Sequence, residues 1–271
     1  MNRSNRPWKP LGAAVLLCAL PLLTSGACLA AESAAAPPAA APSAGGPPKV
    51  QGVDPLAVEA LNKMGAYLRT LNTFEVAMTT TTDAVLDNGE KVKLSGSTNY
   101  KVRRPNAMMV VMASDRKIRN IYYDGKSLTV YSPRMHFYAT VAAPATIRDT
   151  LKAAYDKYGV ELPLEDLFRW GTPEDKRNDL KSGTVIGYAK IDGKETDQYA
   201  FRQGDIDWQI WIQRGDKPLP VKAVLTTTSD SAAPEFSAVM HWNPSANFSD
   251  AVFAFKPPAD AKPIKIVSQN P

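Results

Sequence analysis

From Asp54 onward, apolar positions recur with two periods, and each change of period marks a new element. Leu61, Met64, Leu68 and Leu71 follow Asp54-Pro55 at helical spacing, which predicts a helix with one stripe turned to a core. The Asp can accept from an early amide, and Pro at the first helical position has no N–H to lose. After Asn72 the period becomes two. Phe74, Val76 and Met78 alternate with Glu75, Ala77 and Thr79; beyond Asn88-Gly89, Val92, Leu94, Thr98, Tyr100 and Val102 alternate with polar partners. This is the pattern of a long antiparallel hairpin with one dry face, ended by Arg104-Pro105.

The next segments are apolar on both sides. "NAMMVVM", Asn106 to Met112, reads as a strand with two apolar faces, and "NIYYDGKSLTVYSPRMHFYATV", Asn120 to Val141, turns at Asp124-Gly125 and Ser132-Pro133. Neither face of that meander is expected simply to meet water. The middle of the chain is helical again: Ile147, Leu151, Ala154 and Tyr158 form a stripe behind Thr146 and Asp149, a variant capping box, with Gly159 as the stop. A shorter amphipathic piece, Leu162 to Trp170, presents Leu164, Leu167 and Phe168.

Strands resume over Thr184–Ile191, Asp197–Gln203, Ile206–Gln213, Leu219–Thr228, Glu235–Trp242 and Val252–Phe255, with turn signals at Asp192-Gly193, Gly204-Asp205 and Gly215-Asp216. The total is ten or eleven strands joined mostly as meanders. A sheet that wide twists and curls.

Ahead of the domain, Arg3, Arg6 and Lys9 precede an apolar run from Leu11 to Leu23 and then small residues, the layout of an export signal over residues 1–30. The run falls short of the ~20 apolar residues a spanning helix needs. Two cuts fit: one after Ala30, the other making Cys28 the acylated first residue of a lipoprotein. Ser25, standing where a lipobox carries Leu, favours the ordinary cut. Either one sends the chain beyond the inner membrane, to the periplasm or, with Cys28 acylated, to the outer membrane. Residues 31–52 form an Ala/Pro/Gly-rich tether, and 53–271 are expected to fold as one domain.

Both cysteines, Cys18 and Cys28, lie in the leader, so disulfides, thiolate nucleophiles and cysteine metal sites are excluded from the mature form. Losing Arg3, Arg6 and Lys9, with no acidic residue before Glu32, takes the net charge from +5 to +2. Bulk charge then gives no reason to expect nucleic acid as a partner.

The only histidines, His136 and His241, are far apart in sequence and each adjoins a bulky aromatic residue, so a structural role is favoured over metal binding or base catalysis. There is no Gly-x-Ser-x-Gly elbow and no phosphate-cradling glycine loop. The acidic pairs Glu165-Asp166 and Glu174-Asp175 read as solvated surface. No catalytic residue, metal or cofactor is expected, and a hydrolase is the residual enzymatic alternative. What stands out is apolar surface: Ile206, Trp208, Ile210 and Ile212 share one strand face, while Trp211 stands opposite them among polar residues and needs cover from a neighbouring strand's long side chain or from a helix. The Met108-Met109-Met112 cluster serves either as core filler or as an adaptable lining.

The segments "YYDGKSLTVYSPRMHFYATVAAPATIRDTL", "YGVELPLEDL", "FRQGDIDWQIWIQRGDKPLPVKAVLTT" and "FSDAVFAFKPPADAKPI" resemble the domain of unknown function 2092, a family of predicted periplasmic bacterial proteins, over nearly all of Val53 to Ile266. That family more distantly resembles the lipoprotein localisation factors LolA and LolB. The resemblance implies a mainly β (β-rich α+β) fold: a single strongly curved antiparallel sheet, or unclosed β-barrel, of about eleven strands with helices plugging the concave side. It also implies an acyl chain or other apolar ligand in the concavity.

Strand parity then makes Met109, Val111, Leu128, Val130, Phe137, Ala139, Val141, Trp208, Ile210 and Met240 the expected lining. The other side of the meander is expected to meet a helix or neighbouring strands. The function expected is non-enzymatic carriage of a lipid, a lipoprotein acyl chain or another apolar molecule, with membrane attachment only through Cys28. The alternative is an envelope interaction or sensory module of the same fold whose cavity its own side chains fill.

Overall fold

The computed structural model describes residues 52–160, 162–164 and 179–267, all within one compact unit, Pro47–Pro271. Helix α1 (Pro55–Thr70) begins as the sequence predicts: the Asp54 carboxylate accepts from the Leu56 N–H at 2.8 Å and Pro55 opens the helix. Ala57, Leu61, Met64 and Leu68 are its buried stripe. A fully buried Leu or Met contributes ~1.5–3 kcal/mol, so this stripe, more than helix propensity, holds α1 in place. Helix α2 (Ile147–Tyr158) is capped by Thr146, whose hydroxyl accepts from the Asp149 N–H, and ends at Gly159 in the left-handed conformation.

The strands are β1 (Thr73–Val85), β2 (Lys91–Arg103), β3 (Ala107–Ser114), β4 (Ile118–Tyr123), β5 (Ser127–Ser132), β6 (Phe137–Ala142), β7 (Leu180–Ile191), β8 (Lys194–Gln203), β9 (Ile206–Gln213), β10 (Pro220–Thr227), β11 (Glu235–Asn243) and a two-residue β12 (Lys262–Pro263). All belong to one twelve-stranded sheet in the order β12-β6-β5-β4-β3-β2-β1-β11-β10-β9-β8-β7. Every pairing is antiparallel except β12 with β6. The end strands β12 and β7 do not pair with each other, so the sheet is unclosed. It consists of two meanders, β1–β6 and β7–β11, joined where β1 pairs with β11.

One face carries the helices. Phe74, Val76 and Met78 of β1, Tyr100 and Val102 of β2, Met108 and Val110 of β3, Ile121 and Tyr123 of β4, and Met240 of β11 pack in one core with the stripes of α1 and α2. The buried hydroxyls on this face are satisfied by loops: Tyr123 donates to the Pro144 carbonyl at 2.6 Å and Tyr100 to that of Pro163 at 2.7 Å. Tyr123 thereby ties the loop leading into α2 to the sheet, and burial raises the pKa of its phenol.

Among the described residues, the opposite face of the β4–β6 meander meets the carboxy-terminal segment, where the sequence predicted a helix or neighbouring strands. Phe255 stands 5.2, 5.3 and 5.1 Å from the rings of Tyr122, Tyr131 and Tyr138. The expected strand Val252–Phe255 is absent; a 3₁₀ turn, Asp250–Val252, occupies its start. The Phe253 N–H donates back to the Asp250 carbonyl, and Arg103 of β2 holds the Asp250 carboxylate at 2.6 Å, so local turn bonding and one ion pair replace a ladder. Phe253 is buried against the Arg103 guanidinium. Further along, the Lys262 N–H donates to the His136 carbonyl and the Ile264 N–H to that of Tyr138, which forms β12. The expected amphipathic piece beyond Leu164 lies outside the described residues.

Candidate functional site on the helix-bearing face

Pairing across six strands aligns one row of side chains on the helix-bearing face. Phe201 of β8 stands opposite Trp208 of β9, Trp208 opposite Leu225 of β10, Leu225 opposite Phe236 of β11, Phe236 opposite Thr82 of β1, and Thr82 opposite Leu94 of β2. Antiparallel partners of this kind lie within side-chain reach, so Phe201, Trp208, Leu225 and Phe236 form a continuous apolar strip, with Thr82 interposed before Leu94. Phe201 is buried under the Trp208 ring, with centroids 4.3 Å apart. Trp208, Leu225 and Phe236 are only half-buried, although they pack on the core, and Ile206 just outside the row is 39% exposed. The middle of the sheet differs: Val76, Tyr100, Val102, Met108 and Val110 are closed off completely by the protein's own side chains.

The expected lining residues distribute unevenly over this surface. Leu128, Ile210 and Met240 belong to the packed core, and Val130, Val141 and Trp208 lie half-covered against it. Ala139 shares their face, opposite Val130, and is buried; Phe137, two residues earlier, is half-buried at the start of β6. Met109 and Val111 are not brought together with the others. They pair with Tyr122 and Asn120 and emerge on the opposite face, and Met108 and Val110 take the inner positions. Leu225, Phe236 and Trp242 join the inner surface without having been singled out from the sequence. Their signal was present in the alternation of β10 and β11, which places Ala223 with Leu225 and Phe236 with Ala238, Met240 and Trp242 on single faces.

Trp211, on the outer face, is covered by the expected long side chain from a neighbouring strand. The Lys222 ammonium of β10 lies 4.7 Å from its ring centroid. Both histidines sit away from the inner surface: His136 occupies a turn and faces Asp260 at 2.7 Å, and His241 lies 3.7 Å from Asp192. The outer face also carries Arg202 with Asp207 at 2.6 Å, whereas Asp197, paired with Arg214 at 2.6 Å, stands opposite Ile212 on the inner face. Hydrogen bonding from Arg202 holds the Asp207 carboxyl below its ordinary range. Among the described residues, no group of three or more His, Cys, Asp or Glu could hold a metal ion. Among the same residues, no helix is long and apolar enough to cross a membrane.

A family model described as "Predicted periplasmic protein (DUF2092)" matches residues 57–267. No curated protein matches the chain. Among solved structures, the chain is similar to the Mycobacterium tuberculosis lipoprotein LppX at 15% identity and a TM-score of 0.45, covering 72% of this chain and 98% of that one. It is also similar to LprF from Mycobacterium bovis, at 13% identity and a TM-score of 0.45, covering 78% and 100%. A LolA superfamily protein from Nitrosomonas europaea is similar at 12% identity and a TM-score of 0.31, covering 73% and 97%.

Proposed function

We propose, from the premise that this chain belongs to the DUF2092 family of predicted periplasmic proteins, that it is a non-enzymatic carrier sheltering an acyl chain or comparable apolar molecule on the helix-bearing face. The carrying observation is the Trp208–Leu225–Phe236 row, continuous with the core yet half-covered. An apolar chain laid there would remove exposed surface at about 25 cal/mol per Å². Of the expected lining residues, Ile210 and Met240 adjoin the row on β9 and β11 in this reading, and Leu128, Val130, Phe137, Ala139 and Val141 line the same face on β5 and β6, beyond the closed middle. The two histidines face single acidic partners on exposed positions, a structural arrangement and not a nucleophile with its base.

Protein purified from the periplasm should carry extractable lipid in native mass spectrometry and should bind a fluorescent fatty-acid probe, and Trp208→Asp should abolish probe binding while the fold melts cooperatively. A clean apo mass together with no probe binding overturns the carrier. The closed middle of the sheet favours a second reading, an envelope interaction module with a self-filled interior. Crosslinking that recovers a stoichiometric protein partner and no lipid would select it.

A further inference from the structure

Arg104 follows directly on an arginine that is paired, and differs from it. Arg103, Arg202 and Arg214 each hold a carboxylate at 2.6 Å. Arg104 does not: among the described residues no carboxylate lies within ion-pair distance of it, and its Nε is a buried donor without an acceptor. Its neighbour in sequence, Arg103, points to the outer face and engages Asp250, while Arg104 turns inward, its guanidinium 5.9 Å from the centroid of Phe74.

The position is fixed from both sides. The Arg104 N–H donates to the Asn72 carbonyl at 2.7 Å, directly beyond the last turn of α1, and the following Pro105 carbonyl accepts from the Ile147 N–H at 2.8 Å, at the start of α2. The last turn of α1 also carries Arg69, whose positive charge bears on Arg104. Burial first, and that like charge second, push the Arg104 guanidinium below its ordinary value. A half-buried cation beside another cation, with an idle N–H, is costly unless something negative completes it. Guanidinium presents a planar fork of donors that fits the two oxygens of a carboxylate or phosphate.

We infer that Arg104, supported by Arg69, is a receptor for a single carboxylate or phosphate group at the end of the sheet where α1 and α2 meet it. The site stands apart from the Trp208–Leu225–Phe236 row and does not depend on it. The anion comes either from the headgroup of an amphiphile or from a free ion, and the two sources are separable.

The test is nitrogen–proton NMR of the arginine Nε–H groups in the full folded domain, titrated at constant ionic strength with inorganic phosphate, palmitate, hexadecanol and chloride. A saturable downfield shift of the Arg104 signal with phosphate identifies a free-anion site, and one with palmitate alone identifies a headgroup site; hexadecanol and chloride should leave it in place. Arg104→Gln should abolish saturable anion binding, and Arg69→Gln, on an exposed position, should weaken it about threefold. Arg104→Lys keeps the charge without the fork and should lose about tenfold. If Arg104→Gln fails to fold, the wild-type titration and Arg69→Gln still decide. No saturable shift with either anion, or the same shift with chloride, overturns the site. An arginine that merely packs against Phe74 would show the first of these results.

Discussion

The ring of Phe201 rests directly on Gly183. A β-carbon at Gly183 would stand 3.0 Å from both Cδ1 and Cε1 of Phe201 and 3.3 Å from Val53 Cγ1. The absence of a side chain on β7 therefore lets Phe201 lie flat, with Trp208 stacked above it, and lets the Gly52–Asp54 segment bond to both sides of Gly183.

Gly183→Ala should accordingly destabilise the domain by about 1–3 kcal/mol through overpacking, and Gly183→Val by more. Urea denaturation checks this. Because Phe201 would be displaced toward Trp208, the emission of the folded state should also change. Unaltered stability in the Val variant would show that the ring has room to move.

Phe255 joins three tyrosines from three strands, so Phe255→Ala should remove packing that no other described aromatic residue supplies on that face. A loss of about 1–3 kcal/mol is expected, smaller than for a fully buried Phe because this one is half-buried. Limited proteolysis should then cut first between Lys256 and Lys265. Equal protease resistance in variant and wild type would mean that β12 and the His136–Asp260 pair suffice to hold the segment.

Asp83 predicts a pH dependence. Its nearly covered carboxylate accepts from Lys93 at 3.0 Å, faces Lys91 at 3.4 Å and accepts from the Glu235 N–H at 3.2 Å, joining β1, β2 and the start of β11. Lys93 is the largest influence holding the Asp83 carboxyl below its ordinary value. A carboxylate whose folded pKa is depressed contributes stability fully present above the unfolded value of ~4, and that contribution is lost as pH falls through the folded value. Stability should thus decline as pH drops below ~4, and Asp83→Asn should flatten this part of the curve without affecting its slope near neutrality. Added salt should shrink the difference, since both lysines stand in water. Parallel wild-type and variant acid curves would remove Asp83 from the account.

The legible parts of the fold were those where polar residues mark the phase. Asp54-Pro55, Thr146 and Gly159 announce both described helices, and the Lys and Ser positions of β2 leave no doubt which side of Tyr100 and Val102 is dry. β3 has no such marker. Met108 to Met112 is unbroken apolar sequence, and only its pairing with β2, which sets Val110 opposite Tyr100, places Met108 and Val110 inside and Met109 and Val111 outside. The stretch from Phe253 to Phe255 misleads for a related reason: two aromatics two residues apart have strand spacing, yet both are sidechain anchors of a strap whose turn depends on Arg103, distant in sequence. Arg104 gave no sign at all, because a cation that lacks a partner differs from one that has a partner only in three dimensions.

The sheet order places the domain's first strand at its centre. Glu75 pairs with Asn243, so the two meanders, each assembled from neighbours in sequence, are united by contacts spanning nearly the whole domain. Loop-closure entropy opposes such a join more than any other in the molecule. In any partly assembled sheet that lacks β11, β1 keeps one open edge. The Thr79–Thr82 run along that open edge gives it threonine hydroxyls in place of a uniformly greasy rim, which makes premature pairing with another chain less favourable.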